Sequence, residues 1–231
     1  MKYFGAALSE KHSVLSRIIR KKDSLEEAKQ SFFEIHAAVN MPEVYGTQEN
    51  ELSLILKGMQ PSEYAVMPTA KDETVAWILW HLARIEDVTM NMLVSGAEQI
   101  FDEHWRKRIC SPVCDTGNSM DDDAIMIFSH SVDTEQLILY RNAVAERTRD
   151  IVTSLMAEDI RRRVSQADIS RLRQSGAVTE DEESVWLLDY WGGKDVAGLL
   201  LMPPTRHAMM HLNSCARIRQ LILTKKSFYR S

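Results

Sequence analysis

Glycine is scarce in this chain of 231 residues, with only nine available for turns. No segment alternates apolar and polar residues strictly with β-branched enrichment, so a sheet-based fold is not expected. There is no G-x-G-x-x-G and no P-loop, which removes the two common glycine-rich phosphate cradles. Cysteine is also rare: three residues, an odd number. That does not make a disulfide framework, and a reducing, cytoplasmic setting is the simpler expectation. Cys110 and Cys114 are the only close pair, with one residue too many between them for C-x-x-C and with Pro112 inside the interval, so both read as loop residues. Basic charge is not in excess, since the formal net charge is −5. Phosphate backbones need a concentrated basic face, so no nucleic-acid partner is expected. No apolar run approaches the ~18 residues of a membrane span, and residues 1–23 hold no run of signal-peptide length. A membrane partner is therefore not expected either. Val14, Ile18 and Ile19, alternating with Arg17, Arg20, Lys21 and Lys22, read as an N-terminal helix packing on the rest.

What the chain does have is helical periodicity, with a hydrophobic content of 45% that can fill a sizeable core. Ser24-Leu-Glu-Glu27 has the pattern of a capping box. Leu25, Ala28, Phe32, Ile35 and Val39 follow it in steps of three and four, with His36 beside that stripe. Residues 47–59 make a short helical piece closed by Gly58 and Pro61. From Thr69 or Asp72 to a stop at Gly96 runs a helix apolar around most of its circumference, the expected central member of a bundle. Short helices are expected in 98–109 and 120–130, with His104 at the surface. Asp133 to Gln136 resembles a cap, and Leu137, Tyr140, Val144, Thr148, Ile151 and Leu155 mark a third long helix. The arginine-rich 160–174 stretch reads as a solvated helical cover. Val185 to Trp191 carries two tryptophans and a tyrosine and could wall a pocket. Residues 205–223 form the last helix, with Lys225 and Lys226 at its favourable negative end. The fold class is therefore all-α, one domain over residues 1–231 with 1–23 as an extension packed on the bundle or mobile. The four longest helices should carry Phe32, His81, Val144 and His211.

His207 and His211 stand four residues apart, on a face continued by Cys215, Ile218 and Ile222 that should point inward. A buried imidazole needs a partner for each nitrogen, which a hydrogen-bond network or a shared cation can provide. Two histidines at this spacing also arise by chance in a chain with seven of them, and a single histidine in an apolar helix is ordinarily a satisfied core residue. His81, between Trp77 and Ile85 on the central helix, supplies a third inward imidazole. Three of them on two facing helices are a known way to build a metal site in a bundle. Glu86 lies roughly 140° around the helix from His81 and is expected on the helix surface. Ala208 takes the place of the glutamate in H-E-x-x-H, which excludes zinc-protease chemistry.

Trp-Ile-Leu-Trp-His81-Leu-Ala-Arg-Ile-Glu-Asp, followed far downstream by Arg-His207-Ala-Met-Met-His211-Leu, resembles the DinB/YfiT superfamily over most of the chain. The resemblance implies a four-helix bundle with a long crossover and, here, additional short helices in the connections. It implies a divalent metal, zinc or nickel, held by one histidine of the second helix and the H-x-x-x-H of the fourth, the places of His81, His207 and His211. Two departures are the longer insertions and Cys215, one turn beyond His211, where it could compete for the metal. The implied activities are transfer of a low-molecular-weight thiol and hydrolysis of a small-molecule substrate. The alternative is a non-catalytic metal-binding or stress-related interaction protein. The catalytic base is unknown from sequence. A pocket lined by Trp77, Trp80, Tyr190 or Trp191 over an open metal position would favour the enzyme, and Met-rich helical faces could pack a homodimer.

Overall fold

The structure, a computed structural model, describes residues 4–224 and 227–231. Its helices in chain order are α1 (Ala6–Ile18), α2 (Leu25–Val39), α3 (Glu51–Leu56), α4 (Val75–Asp87), α5 (Glu103–Ile109), α6 (Asp122–Ser131), α7 (Thr134–Ser154), α8 (Gln166–Gln174), α9 (Glu182–Gly192), α10 (Val196–Leu200) and α11 (Ala208–Thr224). Among the described residues there is no strand, only isolated bridges pairing Met67 with Arg230 and Arg163 with Asp195. The all-α helical bundle expected from periodicity is what forms. Phe32, His81, Val144 and His211 lie on α2, α4, α7 and α11.

α4 is the central member: every residue from Val75 to Asp87 is buried. Thr74 caps its first turn by accepting from the Trp77 amide at 3.1 Å. The helix does not stop at Asp87 but continues as a π-helical run, Val88–Ser95, ending on Gly96 at φ +72°. That left-handed conformation is the one a glycine adopts without steric cost. Arg162 donates to the carbonyl of Val94, and Arg171 donates to those of Met92 at 2.7 Å and Gly96 at 2.9 Å. So part of the arginine-rich stretch corrects its reading as a solvated cover: these cations satisfy carbonyls that a helix end leaves unpaired.

A helix buried on all sides must pair its own polar side chains. One turn past His81, the fully buried Arg84 and Asp87 form an ion pair at 3.1 Å. Asp87 also accepts from the Tyr140 hydroxyl at 2.6 Å, from Asn91 at 2.8 Å and from the amides of Ile100 and Phe101 at 2.8 and 2.9 Å. Burial pushes the Tyr140 phenol well above its ordinary pKa, so it stays protonated and donates. On another side of α4, Glu86 corrects its expected surface place. It is buried and accepts from His36 Nε2 at 2.8 Å, while His36 Nδ1 meets the Tyr45 hydroxyl at 2.7 Å. His36 is thus fully enclosed, stacked on Phe32 with ring centroids 5.3 Å apart. Burial alone would raise the Glu86 pKa; the neighbouring His36 and its hydrogen bond outweigh that and hold it below the usual value.

Elsewhere Asp133 caps α7 as expected, accepting from the Gln136 amide at 3.0 Å. The capping box at Ser24 does not form: Ser24 ends a 3₁₀ turn, Lys22–Ser24, and its side chain makes no cap bond. α1 packs on α2 with Leu15 and Ile18 buried. The expectation for Lys225 and Lys226 lies outside the described residues.

Replacing Asp87 with Ala leaves Arg84 buried without its counter-charge and strips two backbone amides of their acceptor. Urea unfolding should show a loss of about 3–5 kcal/mol. A loss below about 1 kcal/mol, the worth of one ordinary hydrogen bond, would mean that the network does not hold the bundle.

Candidate metal centre

α4 lines up a second set of contacts along residues 114–117. The Trp77 indole donates to the Gly117 carbonyl at 3.1 Å, the Trp80 indole to Asp115 at 3.0 Å, and the Arg84 guanidinium to Cys114 at 2.9 and 3.1 Å. His81 Nδ1 meets the Thr116 carbonyl at 2.8 Å. Four consecutive carbonyls of a loop are therefore held by four side chains of one helix. Gly117 is required for this approach, since its φ is +77° and a Cβ there would stand 2.9 Å from Trp77 Nε1.

A carbonyl can only accept, so His81 carries its proton on Nδ1 and presents a bare Nε2. The ring is stacked on Trp77 at 4.7 Å and 6°. Opposite it, α10 leads into a π-helical run, Met202–His207, which contains Pro203 and Pro204 and passes directly into α11. His207 thus ends a π turn instead of lying within the regular helix that its spacing suggests, while His211 sits in the first turn of α11. Proline supplies no amide to a helical ladder, and the Thr205 hydroxyl satisfies the Leu200 carbonyl at 2.9 Å instead.

These elements bring His81, His207 and His211 together, one ligand atom from each lying within 4.8 Å of the others. His81 Nε2 and His207 Nε2 are 3.2 Å apart, and His207 Nδ1 is buried without a partner. Either tautomer of His207 leaves the pair unsatisfied: two lone pairs face each other, or Nδ1 is an orphan acceptor. A shared cation accepts both Nε2 lone pairs, so the donor set fits a divalent metal. Glu73 Oε1 stands 3.3 Å from His211 Nδ1, placed to orient that ring. Cys215 is not part of the cluster. It is fully buried, and burial pushes its thiol pKa far up, so it stays a neutral core residue.

The three histidines line a cavity of about 380 Å³ whose walls include Trp77, Trp186, Tyr190 and Trp191. Trp80 is not among them: it is enclosed by Phe101, Phe128 and Tyr140. Trp186, half exposed, is a wall residue together with Tyr190 and Trp191, in line with the reading of residues 185–191 as a pocket wall. Cys110 and Cys114 are exposed loop residues and His104 is exposed, as expected.

The architecture defines a helical bundle with three inward histidines at the base of a pocket. The chain belongs to the DinB superfamily, whose family model matches residues 45–180, more than half of it. His81 lies inside the matched region; His207 and His211 follow it. No curated protein matches the chain. No helix among the described residues is long and apolar enough to cross a membrane.

Burial, followed by the neighbouring His211, lowers the His81 pKa from 6.5 to about 3. Between those values the unfolded chain binds the proton that the folded metal-free protein refuses, so stability is present above pH 6.5 and is lost as pH falls toward 3. In chelator-treated protein the urea midpoint should fall more steeply between pH 6.5 and 5 than in His81→Asn. Parallel slopes in the two proteins would show that His81 is not held neutral.

Proposed function

We propose that His81, His207 and His211 hold one divalent metal ion, zinc or nickel, and that the protein is a metal-dependent enzyme acting on a small molecule. The carrying observation is that the three converging ligand atoms open onto a cavity of about 380 Å³. Three protein ligands beneath a cavity match the catalytic pattern, in which a position is left for substrate. With Cys215 outside the cluster, the closed four-ligand arrangement of a structural site loses its candidate.

A divalent cation in this place would supply Lewis-acid chemistry, favouring the anion of a thiol or water and polarising an electrophile. The chain's own groups do the rest. Burial keeps His81 and His207 neutral, which is the ligand form. Thr116 fixes the His81 tautomer, and Glu73 orients His211. The aromatic walls exclude water and present flat faces to a substrate. No carboxylate, lysine or arginine lines the cavity among the described residues, so an uncharged molecule is favoured as the electrophile that this cavity takes. Hydrolysis ordinarily calls on a general base beside the attacking water. Transfer of a low-molecular-weight thiol asks less of this lining, and it is the reading we favour.

Metal analysis of the purified protein should find the ion lost when His81, His207 or His211 is replaced singly by Ala and retained in His104→Ala and His130→Ala. Glu73→Ala should weaken metal affinity by about tenfold, the lower end for an orienting carboxylate. Equal metal content in the wild type and the His207→Ala/His211→Ala double variant would refute the site.

For the reaction, chelated and zinc- or nickel-loaded protein should be compared in two assays: conjugation of glutathione or cysteine to monochlorobimane, and hydrolysis of p-nitrophenyl acetate. Thiol conjugation that appears only on metal loading is expected. Full activity in the metal-free protein would remove the proposed chemistry.

A further inference from the structure

The cavity wall carries a polar side chain that no metal-binding role uses. Asn118 follows the clamped carbonyls directly and lines the cavity. Its Oδ1 accepts from the Thr116 hydroxyl at 2.8 Å, an arrangement in which the amide nitrogen is the end left over. Its Nδ2 has no hydrogen-bond partner among the described residues. The indoles nearby are different, because Trp77 already donates to Gly117 and Trp186 already donates to the Glu183 carbonyl at 2.9 Å.

This donor is held rigidly. Thr116 is fully buried and its carbonyl is fixed by His81, and Gly117 is pressed on Trp77. Pre-ordered donors lose little freedom on binding, so their contribution to selectivity is retained. In a cavity with aromatic walls and no charged lining, a fixed N–H selects a ligand by one acceptor atom.

We propose that Asn118 is the positioning and specificity residue of this cavity, and that the substrate class is a small, flat, uncharged molecule bearing a carbonyl-type oxygen. The aromatic walls take the plane of the molecule and the Asn118 amide donates to its oxygen. The proposal rests on the preceding reading only in taking the cavity as the substrate site, and it does not require the metal.

The test uses full-length, chelator-treated protein and two probes of one shape, acetophenone and α-methylstyrene, in which C=CH₂ replaces C=O. Binding is followed by tryptophan fluorescence and by calorimetry. Wild type should bind acetophenone about fivefold more tightly, the ratio that one ordinary hydrogen bond gives. Asn118→Ala should bring the ratio to about one by losing that bond, with α-methylstyrene affinity unchanged. Asn118→Asp keeps the size and the acceptor for Thr116 but turns an acceptor toward the carbonyl, and it should invert the preference. An undiminished preference in either variant overturns the assignment, as does failure of both probes to bind the wild type. Because the ratio is read without metal, loss of the metal site and loss of this proposal give different results.

Discussion

The clamp between α4 and residues 114–117 is the constraint on which the site depends. Trp77, Trp80, His81 and Arg84 hold four successive carbonyls. The reason lies in burial: a helix enclosed over its whole length cannot leave an indole, an imidazole or a guanidinium without a partner. A loop crossing that helix has carbonyls with the same need. Each satisfies the other, and two consequences follow. His81 is locked with its proton away from the other histidines, and Asn118 is carried to the cavity wall.

How much of this is legible in sequence depends on the range of the interaction. The α4 helix, its stop at Gly96 and the Asp133 cap are set by neighbours a few residues apart, so periodicity and capping chemistry reveal them. The inward pointing of His207 and His211 is legible for the same reason, and pairing them with His81 takes the bundle argument or the family resemblance. The partners of Glu86 and Asp87 are not legible. His36 is fifty residues from Glu86 and Tyr140 is fifty-three from Asp87, and a carboxylate awaiting a distant partner looks in sequence like one facing water. Ser24 shows the opposite error. Its residue pattern suits a capping box, but the preceding 3₁₀ turn places its backbone at φ −114° and ψ 17°, away from the extended conformation of an N-cap. The π turn at His207 is likewise invisible to a rule that assumes 3.6 residues per turn.

The site is composite along the chain, and its second half needs its own support. Pro203 and Pro204 offer no amide to the ladder of Met202–His207, and contacts from outside help to set its position. α1 provides them. His12 Nε2 contacts the Leu201 carbonyl at 2.8 Å, and Arg20 forms two hydrogen bonds to Asp195, at 2.7 and 2.9 Å, just ahead of α10. The Arg20 guanidinium and the Gly198 amide hold the Asp195 carboxyl below its usual pKa in spite of partial burial. The basic character of the N-terminal segment thus has an internal use. It anchors the stretch that delivers His207, while α4 and its clamped loop deliver His81.

α4 therefore has two polar sides with opposite logic. Toward α2 and α7, Glu86 is closed off by His36, and Asp87 by Arg84 and Tyr140, so charge is cancelled in place. Toward α11, three imidazoles meet with no carboxylate among them except Glu73 at the rim, and burial drives His81 and His207 to the neutral form. Neutral imidazoles that converge with lone pairs unmet are poor packing for a core, because each unmet nitrogen costs desolvation without return. A core under selection for stability alone would replace them with apolar residues of similar volume. Their unmet lone pairs are the property that a cation requires, and the cavity above them is the space that a substrate requires.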